Sequence, residues 1–119
     1  MAHYLEFHSL DKKFTQGVKV LSFTDFNEPM EKIFGAPRAS FLNDVFRKHF
    51  EALSDDWDAD YFVLRESDPH YIIAELEKLY REYDNQEDIE LIGKVICKLE
   101  EIWKDIGSET KGYVVSWSK

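Results

Sequence analysis

The strongest constraint on this chain is a run of apolar residues near its C-terminal end. Ile89, Ile92, Ile96, Leu99, Trp103 and Ile106 follow one another at alternating steps of three and four, the spacing that puts side chains on one face of an α-helix. A helix with such a stripe must lay it against a second layer of structure. Gly107 supplies a stop. The sequence GYVVSW at 112–117 follows, with Tyr113, Val115 and Trp117 alternating onto one face as a closing strand. The chain therefore has to reconcile helix and strand in one core.

The preceding elements follow from similar signals. Residues 3–8, HYLEFH, alternate Leu5 and Phe7 with Glu6 and His8, the period of a half-buried strand. Residues 18–23, VKVLSF, read as a second strand, and the polar SLDKKFTQG between them makes a hairpin the economical connection. Asn27 before EPMEKIF, with Pro29 in the first turn and Gly35 beyond, predicts a short helix. A longer helix is expected from about Arg38 to Leu53, with Phe41, Leu42, Val45, Phe46, Phe50 and Leu53 forming its stripe. Tyr61, Phe62, Val63 and Leu64 suit a strand buried on both faces. Asp68 as N-cap and Pro69 at the first helical position open a helix whose inward face is Ile72, Ile73, Leu76, Leu79, Tyr80 and Tyr83. Glu90 with Lys94, and Glu100 with Lys104, have the acid-first spacing of four that supports an exposed helix face. The expected order is β-β-α-α-β-α-α-β: an α+β fold, one domain over 1–119, with a mostly antiparallel sheet of about four strands packed with helices.

Charge limits what such a fold can bind. Residues 1–50 carry 7 Lys and Arg against 6 Asp and Glu, whereas residues 51–119 carry 8 against 18, and the net charge is −9. That surplus of acid repels phosphate backbones and anionic lipid, so direct nucleic-acid binding and membrane association are not expected. No apolar run reaches the length of a spanning helix or a signal-peptide core, and a lone Cys97 forms no internal disulfide. The expected location is the cytoplasm.

Signatures of catalysis are missing. His3, His8, His49 and His70 make neither a zinc-protease pair nor a Cys/His cluster, the five glycines form no phosphate-binding loop, and there is no G-x-S-x-G elbow. Cys97 falls inside the last helix beside the packing stripe, the position of a small hydrophobe rather than an activated thiolate. The expectation is that the protein is not an enzyme and uses no cofactor.

The densest charge is SDDWDADYF at 54–62, where Asp55, Asp56, Asp58 and Asp60 surround Trp57. Asp56, Asp58 and Asp60 have the one-three-five spacing of a calcium loop. Its sixth position, however, would be Tyr61 where Gly is needed, and its twelfth Ser67 where Glu is needed. The stretch reads either as a solvated turn, for which Asp is suited, or as an aromatic anchor within a charged rim, the pattern of an interface centre. A second acidic group, Asp84, Glu87, Asp88 and Glu90, precedes the last helix.

In size, charge and lack of a catalytic motif the chain resembles bacterial immunity proteins and antitoxins, inhibitors that neutralise toxic nucleases. No residue motif carries that resemblance. It implies a small acidic protein-binding inhibitor that covers the active site of a basic toxin, with Asp55, Asp56, Trp57, Asp58, Asp60, Asp84, Glu87, Asp88 and Glu90 as partner-binding candidates and no metal site. Two other readings stand beside it. One is a metal-binding protein or small enzyme using the Asp55 to Asp60 carboxylates. The other is an oligomer-forming regulatory subunit, for which Tyr71, Tyr80, Tyr83 and the apolar breadth added by Val95 and Ile102 would supply the interface, unless those residues are buried within the monomer.

Overall fold

The closing strand sits in the middle of the sheet. The computed structural model describes residues 4–18, 20–21, 30–37, 40–51, 61–107 and 110–117. Within them run β1 (Tyr4–Asp11), β2 (Val20–Leu21), β3 (Glu31–Pro37), α1 (Ser40–Glu51), β4 (Tyr61–Val63), α2 (Asp68–Glu82), α3 (Gln86–Asp105) and β5 (Lys111–Trp117). A 3-10 turn, Lys12–Phe14, follows β1. The strands form one antiparallel sheet in the order β2-β4-β5-β1-β3. The α+β class and the antiparallel, helix-packed sheet are as expected.

β5 pairs with β1 from Leu5 opposite Trp117 to Asp11 opposite Lys111, and with β4 through Val63 opposite Val114. Its alternation sorts the side chains as anticipated: Tyr113, Val115 and Trp117 join the core shared with the helices, while Val114 packs with Leu10 and Val63 on the opposite face. Leu5, Phe7, Phe46, Ile72, Leu76, Ile92, Leu99 and Val115 are fully buried between sheet and helices. Burying each such side chain contributes about 1.5–3 kcal/mol, set against the conformational entropy of ordering the chain. At one end of this core the Phe62 and Trp117 rings stack at 4.8 Å, and Phe50 lies 5.3 Å from Phe62. That stack ties α1 to β4 and β5.

Gly112 has a steric role. A Cβ there would overlap the Thr15 side chain, so the 3-10 turn can close against β5 only over a glycine. Gly17, three residues beyond that turn, has φ 70° in the left-handed region.

Several expectations are corrected. Residues 31–37 form a strand rather than a helix: β3 pairs along β1 from Tyr4 opposite Pro37 to Ser9 opposite Glu31. The helix reading rested on Pro29 and Gly35, local cues that the unpaired edge of β1 overrides. A bulge between Phe7 and His8 skips Ile33, so that consecutive Ile33 and Phe34 both pack on the helix-side core. The hairpin of the first two strands is not formed either. Both edges of β1 are taken by β3 and β5, and β2 pairs with β4 instead.

The helix faces are also rotated from the expected positions. On α3 the centre of the buried arc is Ile92, Val95, Leu99 and Ile102, with Ile106 beyond, while Ile89 and Ile96 are half-buried and Trp103 is 48% exposed. Val95 and Ile102 are therefore core, not flank. On α2, Ile72, Ile73 and Leu76 are buried and Leu79 and Tyr83 partly so, but Tyr80 is 47% exposed. The N-cap of α2 is Ser67 rather than Asp68, which lies in the first turn. Among the described residues, Glu90–Lys94 and Glu100–Lys104 do not pair: Gln86 donates to Glu90 at 3.3 Å, and Lys98 pairs with Glu101 at 2.8 Å.

Candidate binding surface

α2 and α3 lie side by side, joined by the short connection 83–85. Asn85 caps α3 by accepting from the backbone N–H groups of Glu87 and Asp88 at 2.9 and 3.2 Å. The cap fixes the backbone of Glu87 and Asp88. Asp84, Glu87 and Glu90 are exposed and Asp88 is half-buried. Glu87 and Asp88 stand in the first turn, where the helix dipole stabilises negative charge, so the local fold gains from acids that also face outward. Among the described residues, none of these four forms a salt bridge. One of the two acidic groups expected from the sequence is thus an exposed, unneutralised surface.

The other group is not placed. Asp55, Asp56, Trp57, Asp58 and Asp60 lie outside the described residues. The two ends of that connection are Glu51, at the end of α1, and Tyr61, at the start of β4. Of the quoted stretch, Phe62 is in the aromatic stack of the core and Tyr61 packs on the opposite face of the sheet, its ring 5.6 Å from that of His8.

A constellation that sequence spacing did not single out lies where α1 ends and α2 begins. The Asp68 carboxylate, 1% exposed, accepts from the Arg65 backbone N–H at 2.8 Å, from the Arg65 guanidinium at 3.3 Å, and from His49 Nε2 at 2.9 Å. Burial alone would push this carboxyl up, but the hydrogen bonds from His49 and Arg65 outweigh it and hold Asp68 below the usual carboxylate range. An ionised carboxylate only accepts, so Nε2 carries the proton in this bond. Beside it runs a groove of about 660 Å³ between α1 and α2, lined by Val45, His49, Tyr71 and Leu79 with Lys48 and Glu82 among its charged residues. A His–Asp pair can orient an imidazole for base catalysis, yet among the described residues no hydroxyl or thiol hydrogen-bonds the His49 ring. Its evident work is to clamp two helices together. No residue motif marks it, because His49 and Asp68 are 19 positions apart.

Along the outer seam of α2 and α3, aromatic side chains stand in solvent. The His70 and Trp103 rings are 5.4 Å apart across the two helices, and His70 is 5.6 Å from Tyr71. Further along, the Tyr80 ring lies over Gly93, 3.9 Å from where a Cβ would stand. Tyr71 faces the other way, onto the groove beside α1. Cys97 is exposed on α3 rather than packed.

Among the described residues there is no group of three or more His, Cys, Asp or Glu placed to hold a metal ion, and no helix long and apolar enough to cross a membrane. Compared with known proteins, the chain matches no family model, and neither a curated protein nor a solved structure is significantly similar to it.

Proposed function

We propose that this chain is a protein-binding inhibitor whose partner is a basic protein. The observation that carries the reading is the acidic start of α3, where Asn85 caps the backbone of Glu87 and Asp88, and where Asp84, Glu87, Asp88 and Glu90, all but Asp88 exposed, are left without cationic partners among the described residues. A protein of net charge −9 with such a surface draws a cationic partner from a distance, and its carboxylates can occupy the places that phosphates would take in a nuclease cleft. The immunity proteins and antitoxins of bacteria are the class that this size and charge fit. In this reading the protein acts in the cytoplasm as a stoichiometric blocker and catalyses nothing.

The test is affinity capture from cells of the source organism, followed by reconstitution with the purified partner. The expected partner has a basic surface, and it loses nuclease or other toxic activity at a one-to-one ratio. Capture of an acidic partner, or of a basic one whose activity is unchanged in the complex, overturns the reading.

A further inference from the structure

We propose that β3 is the interface of a homodimer, in which the outer edges of β3 from two copies of this chain pair antiparallel about a two-fold axis and continue one sheet into the other. The proposal stands apart from the partner-binding reading above, and the failure of either leaves the other in place.

β3 ends the sheet. Its inner edge is taken by β1, and among the described residues nothing pairs with its outer edge. The outward N–H and C=O groups of such a strand are answered by another extended backbone. Beside that edge, on the helix side, a groove of about 500 Å³ runs between Phe34 and the part of α3 that carries Gly93, Lys94 and Cys97. Phe34 is half-buried and Cys97 exposed, so apolar surface lies within reach of a strand added there.

The bulge sets the register in which a second copy fits. Lys32 and Gly35 stand opposite His8 and Glu6, on the face turned from the helices, while Glu31 and Ala36 stand opposite Ser9 and Leu5 on the helix side. Ile33 and Phe34 are consecutive and both pack towards the helices. A two-fold axis through the sheet, centred between Ile33 and Phe34, therefore matches faces from end to end. Ile33 of one copy meets Phe34 of the other, Lys32 meets Gly35, and Glu31 meets Ala36. A slip of one residue either way would oppose helix-side positions to positions on the other face, so this register is specified.

Local charge does not oppose the pairing. Glu31 and Lys32 lie on the strand, Glu6 pairs with Lys32 at 3.6 Å, and Glu90, Lys94, Lys98 and Glu101 line the groove. Four carboxylates against three lysines leave one unit of the net −9 along this edge. In the stated register each charged residue of β3 faces Gly or Ala, so no like charges are directly opposed. Pro37 has no N–H to offer and ends the ladder. An isologous pair uses both β3 edges, so assembly closes at two copies.

The experiment measures the mass of the intact protein by sedimentation over a concentration series, with amide exchange followed in parallel. The expected result is a monomer–dimer equilibrium in which amides between Glu31 and Ala36 gain protection as the dimer forms. Gly35→Lys should weaken the dimer at least several-fold, because it sets like charge opposite Lys32 of the other copy twice over, whereas Gly35→Glu should retain it. Neither change is blocked in the monomer: Gly35 is exposed, and a Cβ there stands 3.7 Å from the Lys32 side chain, an ordinary contact. A monomer at every concentration, a dimer that protects another surface, equal weakening by Gly35→Lys and Gly35→Glu, or protection of β3 only on addition of a different protein would each overturn the assignment.

Discussion

His49 and Asp68 meet at 2.9 Å across the junction where α1 ends and α2 begins, and the carboxylate on which they meet is almost wholly inaccessible to water. The bond joins helices whose connecting chain includes an entire strand, so it fixes their relative placement in a way that neither helix can do alone. Arg65 completes the arrangement with a backbone and a side-chain donor. The buried charge is thereby satisfied.

Removing it should be costly. Asp68→Ala strands the Arg65 N–H and the His49 ring without their acceptor and is expected to destabilise the fold by about 2–3 kcal/mol, with Asp68→Asn milder because an amide oxygen can still accept. The folded carboxyl titrates below its ordinary 3.8. Its contribution is therefore fully present above that value and is lost as pH falls through it towards the folded pKa. Urea unfolding of parent and Asp68→Asn between pH 6 and strong acid checks both points: the gap between them should close below about pH 4. A gap that stays constant on acidification would show that the carboxylate is not the stabilising species.

His8 gives a slope in a different window. Burial lowers its pKa below 6.5; the nearby Lys32 acts in the same sense, and Glu6 opposes both. Its Nδ1 is buried and, among the described residues, has no hydrogen-bond partner. The unfolded chain then binds the proton more readily than the folded one. Stability should fall as pH drops through about 6.5 towards the folded value, and rise again with pH. His8→Leu should flatten stability over this range, as measured by thermal unfolding at closely spaced pH values. An equally steep slope in the variant would assign the effect to another group.

Adjacent residues on α3 separate core from surface. Ile102 is 1% exposed and Trp103 about half exposed. Ile102→Ala should cost about 2–5 kcal/mol through the cavity it leaves, whereas Trp103→Ala should stay within about 1 kcal/mol. Comparable losses from both would mean that the Trp103 ring is packed rather than available at the seam.

That pair also shows how far the sequence could be read. The steps of three and four from Ile89 to Ile106 located α3, and the alternation of Tyr113, Val115 and Trp117 located β5 with the correct face inward. Period alone left the centre of the α3 stripe uncertain by one residue, because Val95 and Ile102 are as apolar as the positions beside them. The contact with α2 decides which are covered. β3 was illegible for a different reason: its strand character comes from β1, more than twenty positions earlier, while Pro29 before it and Gly35 within it read as helix ends in the sequence. Of the surface, the acids from Asp84 to Glu90 could be read directly, since exposed charge needs no partner to be recognised. The His49–Asp68 clamp and the Trp103–His70 contact depend on tertiary approach, and no interval in the sequence encodes them.

Association with the proposed basic partner should depend on those acids mainly through its rate. The triple variant Asp84→Asn/Glu87→Gln/Glu90→Gln should bind more slowly than the parent at low salt, and the two rates should converge as salt rises, because exposed charge is screened within about 10 Å at 0.1 M. The variant should remain folded, with a small loss of stability because Glu87 no longer favours the start of α3 electrostatically. Stopped-flow mixing with the captured partner across a salt series measures this. The same series run on Asp56→Asn/Asp58→Asn and on Trp57→Ala ranks the two acidic groups against each other. If the triple variant associates as fast as the parent at every salt concentration while the Asp56 and Asp58 variant is slowed, steering belongs to the connection between α1 and β4, and the acids of α3 serve only their own helix.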